Sequence, residues 1–319
     1  MNGIRLRFAL LVSVGLFALC GASCQNMVHQ FGRPAVHVLP PTATLEQIVT
    51  VVNRNSRGIQ AFSSTEASIS SPGTPTLRDN VAFSRPQRFR LRAQTAMTGA
   101  EVDLGSNDEL FWFWVRRSEP PAVYYCRHEQ FANSRARQAI PIEPTWLVEA
   151  LGVVEFDPSL PHQGPYPLPG DRFEIRTVRE TPQGPMTKST VIDAVRGWVV
   201  EQHLYDAAGQ RVASAVAEQH RRDPLTNLVM PRIVKIESPQ AQFSMQINLG
   251  NVQINRLSGN PAELWSMPQY PGTAVVDLGA PVGPAVPMGP GYPQPDMLQT
   301  SQIPAGSPQP DMLNTPARR

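Results

Sequence analysis

Six consecutive residues, Leu110-Phe111-Trp112-Phe113-Trp114-Val115, constrain this chain more than any other stretch. All six are apolar and the run is rich in bulky aromatics. A strand of that composition needs cover on both faces, or else it lines a cavity with one of them. Upstream, Phe89, Leu91 and Ala93 alternate with Arg88, Arg90 and Arg92. That is period two, the mark of a half-buried strand. Residues 102–104 and 122–125 are further short strand candidates, set apart by Gly, Ser, Asn and Pro signals. Residues 79–137 therefore predict an antiparallel meander rich in large apolar side chains. Its aromatics either fill a core or line a cavity.

The flanking segments extend this pattern. Thr44-Leu45-Glu46-Gln47 forms a capping box, and Leu45, Ile48, Val49 and Val52 follow at helical spacing, with Gly58 as a stop. This amphipathic helix is expected to cover one face of the sheet. Residues 59–69 and 77–83 read as strands around a turn at Pro72, Gly73 and Pro75, and Arg85-Pro86 ends the second. Residues 141–152 read as a helix, with Pro144 in its first turn and Gly152 just past its end. Trp146, Leu147, Ala150 and Leu151 form its apolar face, which suits either a plug over the sheet's open side or an ordinary packing helix. The proline-rich residues 160–170 read as a loop. Residues 173–178, 187–191, 198–205, 212–220, 233–238 and 243–249 are strand-like, with a hairpin turn at 206–209. In all, roughly ten or eleven strands make a mainly β chain with few helices, enough for one large curved sheet. No break in composition divides the two halves, so one domain is expected over residues 42–268.

Both ends read differently. Arg5 and Arg7 precede an apolar run at 8–19 and a small-residue segment, as in a secretory signal over residues 1–23. The run is too short for a comfortable membrane span. Ala22-Ser23-Cys24 resembles a bacterial lipobox, in which the cysteine becomes the lipidated first residue, although Gly21 stands where leucine is usual. The alternative is an ordinary cleaved signal and a soluble exported protein. With Cys24 lipidated, only Cys126 is left as a free thiol, and no intramolecular disulfide is possible. Residues 24–41 look like a tether ending in Pro40-Pro41. Many of the 33 prolines fall in residues 269–319, where Pro293-Gln294-Pro295-Asp296-Met297-Leu298 recurs as Pro308-Gln309-Pro310-Asp311-Met312-Leu313. This tail lacks the apolar surface to fold and reads as extended or disordered. It is either a linker or a two-copy docking motif for an envelope protein.

Charge and motifs exclude several classes. A net charge of +2 gives no drive toward nucleic acid. No His-Glu-x-x-His, paired-cysteine spacing, phosphate-cradling glycine loop or Gly-x-Ser-x-Gly occurs, so neither an enzyme, a cofactor nor a metal site is expected. His128, His203 and His220 read as solvated or cross-strand-paired residues in strand-like surroundings. Arg221-Arg222-Asp223 reads as a solvated turn. The stripe Arg88, Arg90 and Arg92 reads as a wet sheet face, or as a surface for anionic lipid head groups.

Three stretches resemble the bacterial lipoprotein-carrier superfamily, LolA and LolB. Phe83-Ser84-Arg85-Pro86-Gln87-Arg88-Phe89 is similar to the family's Arg-Pro-x-x-Phe junction between early strands. The run from Val102 to Phe113 is similar to its apolar strand, acidic or glycine turn and aromatic strand. Residues 261–268, with Trp265, resemble its closing segment. The resemblance implies an incomplete antiparallel barrel with an N-terminal helix and a short lid helix over an apolar cavity. It implies noncovalent binding of acyl chains of lipoproteins or lipids, at the periplasmic face of an envelope membrane and most simply the outer one. Phe89, Leu91, Phe111, Phe113, Trp146, Leu147 and Leu151 are the expected lining. Arg85 matches the family arginine that hydrogen-bonds the lid backbone. Met97 takes the place of an apolar residue on a protruding, membrane-contacting loop of the anchored branch. The rival class is an envelope sensor or scaffold on the same fold, in which cavity occupancy alters a protein partner.

Overall fold

The computed structural model describes residues 37–139 and 143–279. The expected signal, Cys24, most of the tether and residues 280–319 with the repeat lie outside the described residues. Helix α1 (Leu45–Gly58) begins at Thr44, whose side chain accepts from Gln47 N–H while the Gln47 side chain accepts from Thr44 N–H. Ile48 and Val52 are its buried apolar positions.

A meander follows, made of β1 (Ala61–Ser70), β2 (Leu77–Ser84), β3 (Arg88–Thr95), β4 (Gly99–Ser106), β5 (Leu110–Val115) and β6 (Ala122–Arg127). Each strand pairs antiparallel with the next. The second half of the sheet contains β7 (His162–Leu168), β8 (Arg172–Thr181), β9 (Gly184–Asp193), β10 (Trp198–Tyr205), β11 (Arg211–Glu218), β14 (Ile233–Ser238) and β15 (Phe243–Asn248). The two halves join where β1 meets β15. Short strands β12 (Arg221–Arg222) and β13 (Val229–Met230) pair with each other, and β16 (Gln253–Ile254) pairs with β1. One four-residue strand from beyond Pro268, β17 (Ala274–Asp277), adds to β6 in parallel. The result is a 15-stranded sheet that curls without closing, with β17 at one edge and β7 at the other.

The strand count exceeds the expected ten or eleven partly because residues 160–170 are not a loop. They hold β7, which pairs with β8. Proline has no N–H to give to a ladder, but an edge strand needs donors on only one side. Pro165 and Pro167 sit on that edge, and a register shift between Gln163 and Tyr166 absorbs the irregularity. Prolines here also blunt an otherwise open edge against further pairing.

The open topology dictates the path from β6 to β7. The chain leaves β6 near one edge and must reach β7 at the other, and the described parts of this connection, residues 128–139 and 143–161, hold a 3-10 turn (His128–Asn133), α2 (Arg135–Ala139) and α3 (Pro144–Ala150). Trp146, Val148 and Ala150 of α3 are buried, together with Leu151 just beyond it. The sheet face they meet is called inner below. Its register rows include Phe62, Phe83 and Phe89, and, in the other half, Gln202, Ala215 and Ile236.

The aromatic strand β5 is covered on both sides, which explains its composition. Phe111 and Phe113 face inward: Phe111 meets Phe131 edge-on at 5.5 Å, and Phe113 stacks on Tyr124 at 4.9 Å. Trp112 and Trp114 face outward beneath residues 261–270, which include α4 (Pro261–Leu264). Trp114 stacks on Tyr270 with ring centroids 3.8 Å apart. Trp112 lies so close over Gly105 that a Cβ there would stand 2.1 Å from its ring, so only glycine fits.

The outer face also corrects the reading of the arginine stripe. Arg88 is half-buried and pairs with Asp108, and Arg92 is exposed. Arg90 is neither wet nor available to a head group, because it is 8% exposed. Its Nη2 donates to Asp103 at 2.6 Å and its Nη1 to the carbonyl of Ser266 at 2.7 Å. Asp103 is fully buried and also accepts from Tyr270 Oη at 2.7 Å and from Trp112 Nε1 at 3.3 Å. Burial and the neighbouring Asp103 carboxylate push the Tyr270 phenol well above its usual range.

Candidate functional site

The inner face carries a continuous apolar floor. Phe62, Val81, Phe83, Phe89 and Leu91 from the sheet join Trp146, Val148 and Leu151 from the connecting segment in one buried cluster. Of the seven residues expected to line a cavity, Phe89, Leu91, Trp146 and Leu151 are in this cluster, and Leu147 packs against it. Phe111 and Phe113 belong to an adjoining cluster with Tyr124, Cys126 and Phe131, under the 3-10 turn. Phe111 and Phe113 are nonetheless in register with the floor, since Leu91 pairs with Leu104 and Leu104 with Phe113.

In this closed arrangement the floor is packed rather than hollow. Leu91 and Leu151 are 0% exposed and Trp146 only 5%, so α3 itself fills the space over the sheet. The helix is tied down by polar bonds at its edges. Lys188 of β9 pairs with Glu149 at 2.6 Å, Gln202 donates to the Glu149 carbonyl, and Arg179 pairs with Glu143. The Arg179–Glu143 pair is half-exposed and holds the helix weakly, whereas Lys188, Glu149 and Gln202 are mostly or fully buried and hold its C-terminal end more firmly.

Arg85 lies at the opposite end of the floor. Its Nη2 donates to Ser56 O at 2.8 Å and its Nε to Ile59 O at 3.0 Å, the last turn and cap of α1. A cation is favoured at that end of a helix. Its Nη1 donates to Glu155 at 3.0 Å, five residues after the end of α3. Burial alone would raise the Glu155 carboxyl, but Arg57 and Arg85 outweigh it and hold the group below its usual value. Arg85 thus straps α1 to the chain leaving α3, and its three donors go to these groups rather than to the α3 backbone.

The β1–β2, β3–β4 and β5–β6 turns share one rim, because each joins successive antiparallel strands. The start of β15 lies beside the end of β1, which brings the β14–β15 turn to the same rim. Met97 projects from the β3–β4 turn and is 95% exposed. Val115 and Phe243 are exposed on the same rim. Arg116 and Arg117 flank it within 4.0 Å and 3.7 Å of Glu101.

Two polar groups were missed in the sequence. Asp79 is 2% exposed on the inner face, and among the described residues no side chain answers its carboxylate; the backbone amides of Arg92 and Asn80 approach it without closing a well-formed hydrogen bond. Burial pushes its carboxyl up to about 7, while the backbone amides of Arg92 and Asn80 pull it back only in part. Its parity with Leu77, Val81 and Phe83 was the available signal. Asp103 sits on the opposite parity from Val102 and Leu104, a pattern that placed it outside but could not show the segment covering it. The histidines play structural parts. His128 begins the 3-10 turn instead of lying in a strand, and His220 stacks on Trp198 at 5.0 Å, with its pKa lowered by burial. Arg221 and Arg222 are exposed but paired in β12. Among the described residues no three His, Cys, Asp or Glu side chains gather as a metal site, and no helix is long and apolar enough to cross a membrane.

No protein-family profile and no curated protein matches the chain. Solved structures do. A DUF1329 family protein from Desulfovibrio piger aligns over 69% of this chain and 98% of its own, at 11% identity and a TM-score of 0.48. A LolA superfamily protein from Nitrosomonas europaea aligns over 70% of this chain and 98% of its own, at 9% identity and a TM-score of 0.45. A domain assigned to outer membrane lipoprotein sorting, from Vibrio parahaemolyticus, aligns over 69% of this chain and 97% of its own, at 8% identity and a TM-score of 0.47. These likenesses concern the course of the backbone alone. What the chain itself shows is an open, curled, mainly antiparallel sheet with an N-terminal helix.

Proposed function

We propose that this protein is an exported, lipid-anchored carrier that takes up acyl chains of lipoproteins or lipids on its inner sheet face and passes them on at an envelope membrane. The observation that carries this reading is the way α3 lies over the floor. A short, apolar helix, part of the segment that connects β6 to β7, packs on the inner face in the space an acyl chain would fill. Uptake is then an exchange, in which acyl methylenes replace Trp146, Leu147 and Leu151 against Phe89 and Leu91. Each buried methylene contributes about 0.8 kcal/mol, so ten contribute about 8 kcal/mol. Lifting α3 exposes Trp146, Leu147, Val148 and Leu151 at about 1.5–3 kcal/mol each, so ten methylenes roughly balance the exchange and a longer or second chain drives it. The Arg85 strap keeps α1 and the chain beyond α3 in place during the movement. Lipidation of Cys24 would hold the protein on the periplasmic face of the outer membrane.

The rim supplies the membrane contact in this scheme. Met97 enters the acyl boundary of the bilayer, with Val115 and Phe243 beside it and Arg116 and Arg117 facing anionic head groups. Arg90 contributes nothing there, being enclosed with Asp103. Met97→Glu is expected to leave melting temperature and acyl-probe binding unchanged and to slow transfer of a bound probe into liposomes by about tenfold. Wild-type transfer rates from this variant would remove the rim from the mechanism.

A further inference from the structure

Among the described residues, Asp79 is the only charged side chain on the inner face of β2 to β6. Charged groups on the same face of the other half are all answered: Lys188 by Glu149 and Arg179 by Glu143. Asp79 is not. A buried carboxyl with no counter-ion and no side-chain donor, only two poorly placed backbone amides nearby, is unfavourable by several times the worth of an ordinary hydrogen bond. Its neighbours across the sheet are Ala67 on β1 and Ala93 on β3, and Val102 follows on β4. One layer deeper the row turns large, with Val81 and Leu91, and then Phe62, Phe83 and Phe89. One layer outward, Ile69 and Leu77 face each other near the rim. The carboxyl thus sits just inside the rim, with small residues at its sides and the apolar floor below.

We propose that Asp79 is the polar end of the acyl site and receives an N–H donor, an ammonium or an amide, at the head of an amphiphile whose chains lie along Val81, Leu91 and Leu104. This rests on the acyl-carrier reading and adds the class of head group. The depth order fits such a ligand: rim, carboxyl, then aliphatic and aromatic floor. The two alanines put no side-chain bulk between the head and the carboxyl. An ester or carboxylate head of equal chain length offers no donor, and a carboxylate meets the Asp79 charge unfavourably. Two sources carry the required chemistry: the head of an aminolipid, and the acylated N-terminus of a polypeptide.

The test is a displacement series on the full chain, with four dodecyl probes that differ only at the head: ammonium, secondary amide, methyl ester and carboxylate. Wild type is expected to bind the ammonium and amide about tenfold more tightly than the ester. Asp79→Asn is expected to lose the ammonium preference and keep that for the amide. Asp79→Leu is expected to lose both while still binding the ester. Equal head-group ranking in wild type and both variants overturns the inference but leaves the acyl-carrier reading standing. Failure of every probe to bind wild type overturns both. Phosphatidylethanolamine and a diacylated lipopeptide, run in the same three proteins, identify the source as the one whose affinity falls in Asp79→Leu; if neither falls, the inference fails.

Discussion

Replacing Asp79 by asparagine is expected to flatten the pH dependence of stability by about 4 kcal/mol between pH 4 and pH 8. The unfolded carboxyl titrates near 3.8, and burial raises the folded one to about 7. Between those values the folded state binds the proton that the unfolded state has released. Stability therefore falls as pH rises through this window, by about 1.4 kcal/mol per pH unit over roughly three units, and levels off above the folded pKa. Asparagine, close in shape to the protonated acid, keeps the packing and removes the titration. Below pH 4 the two proteins should melt alike, whereas at pH 8 the variant should be the more stable. Denaturant unfolding of both proteins across the range checks this. Parallel curves at every pH would mean that Asp79 finds a partner in solution.

Asp103→Ala is expected to destabilise the protein by about 3–5 kcal/mol, the usual effect of stripping one partner from a buried ion pair. The loss leaves Arg90 enclosed with a net charge and leaves Tyr270 Oη and Trp112 Nε1 without their acceptor. Tyr270 should then lift from Trp114, and residues 261–270 with it. Near-ultraviolet circular dichroism should report the lost stacking, and protease should cut near Trp265. A double substitution, Arg90→Leu with Asp103→Ala, should recover part of the stability, because no uncompensated charge remains. If the single variant melts within 1 kcal/mol of wild type, as a surface pair would, residues 261–270 are not held by this network.

The sheet was legible because its signals are local. Period-two alternation placed β3, the turn at Pro72 to Pro75 and the Arg85-Pro86 break bounded β2, the aromatic run placed β5, and Pro144 with Gly152 bracketed α3. The capping box at Thr44 placed the start of α1. Misreadings arose where the deciding contact is distant. Residues 162–168, within the stretch read as a loop, form a strand because they lie on an edge, and no local signal distinguishes an edge from a loop. Arg90 reads as solvated until residues 264–266 fold over it. The Arg-Pro junction located Arg85, but its acceptors on α1 and at Glu155 depend on how the helix and the connecting segment meet. The seven lining residues were chosen by apolarity, and the structure divides them between two adjoining clusters because the 3-10 turn covers Phe111 and Phe113 separately.

Occupancy of the inner face is the central claim, and native mass spectrometry of the full-length protein purified from membranes tests it most directly. A lipid attached covalently through Cys24 survives denaturation, whereas a ligand held on the floor does not. The account predicts a mass excess under native conditions that disappears on denaturation and fragments as an acylated, N–H-bearing molecule. Identical native and denatured masses, with no uptake after incubation with a diacylated lipopeptide, would contradict it.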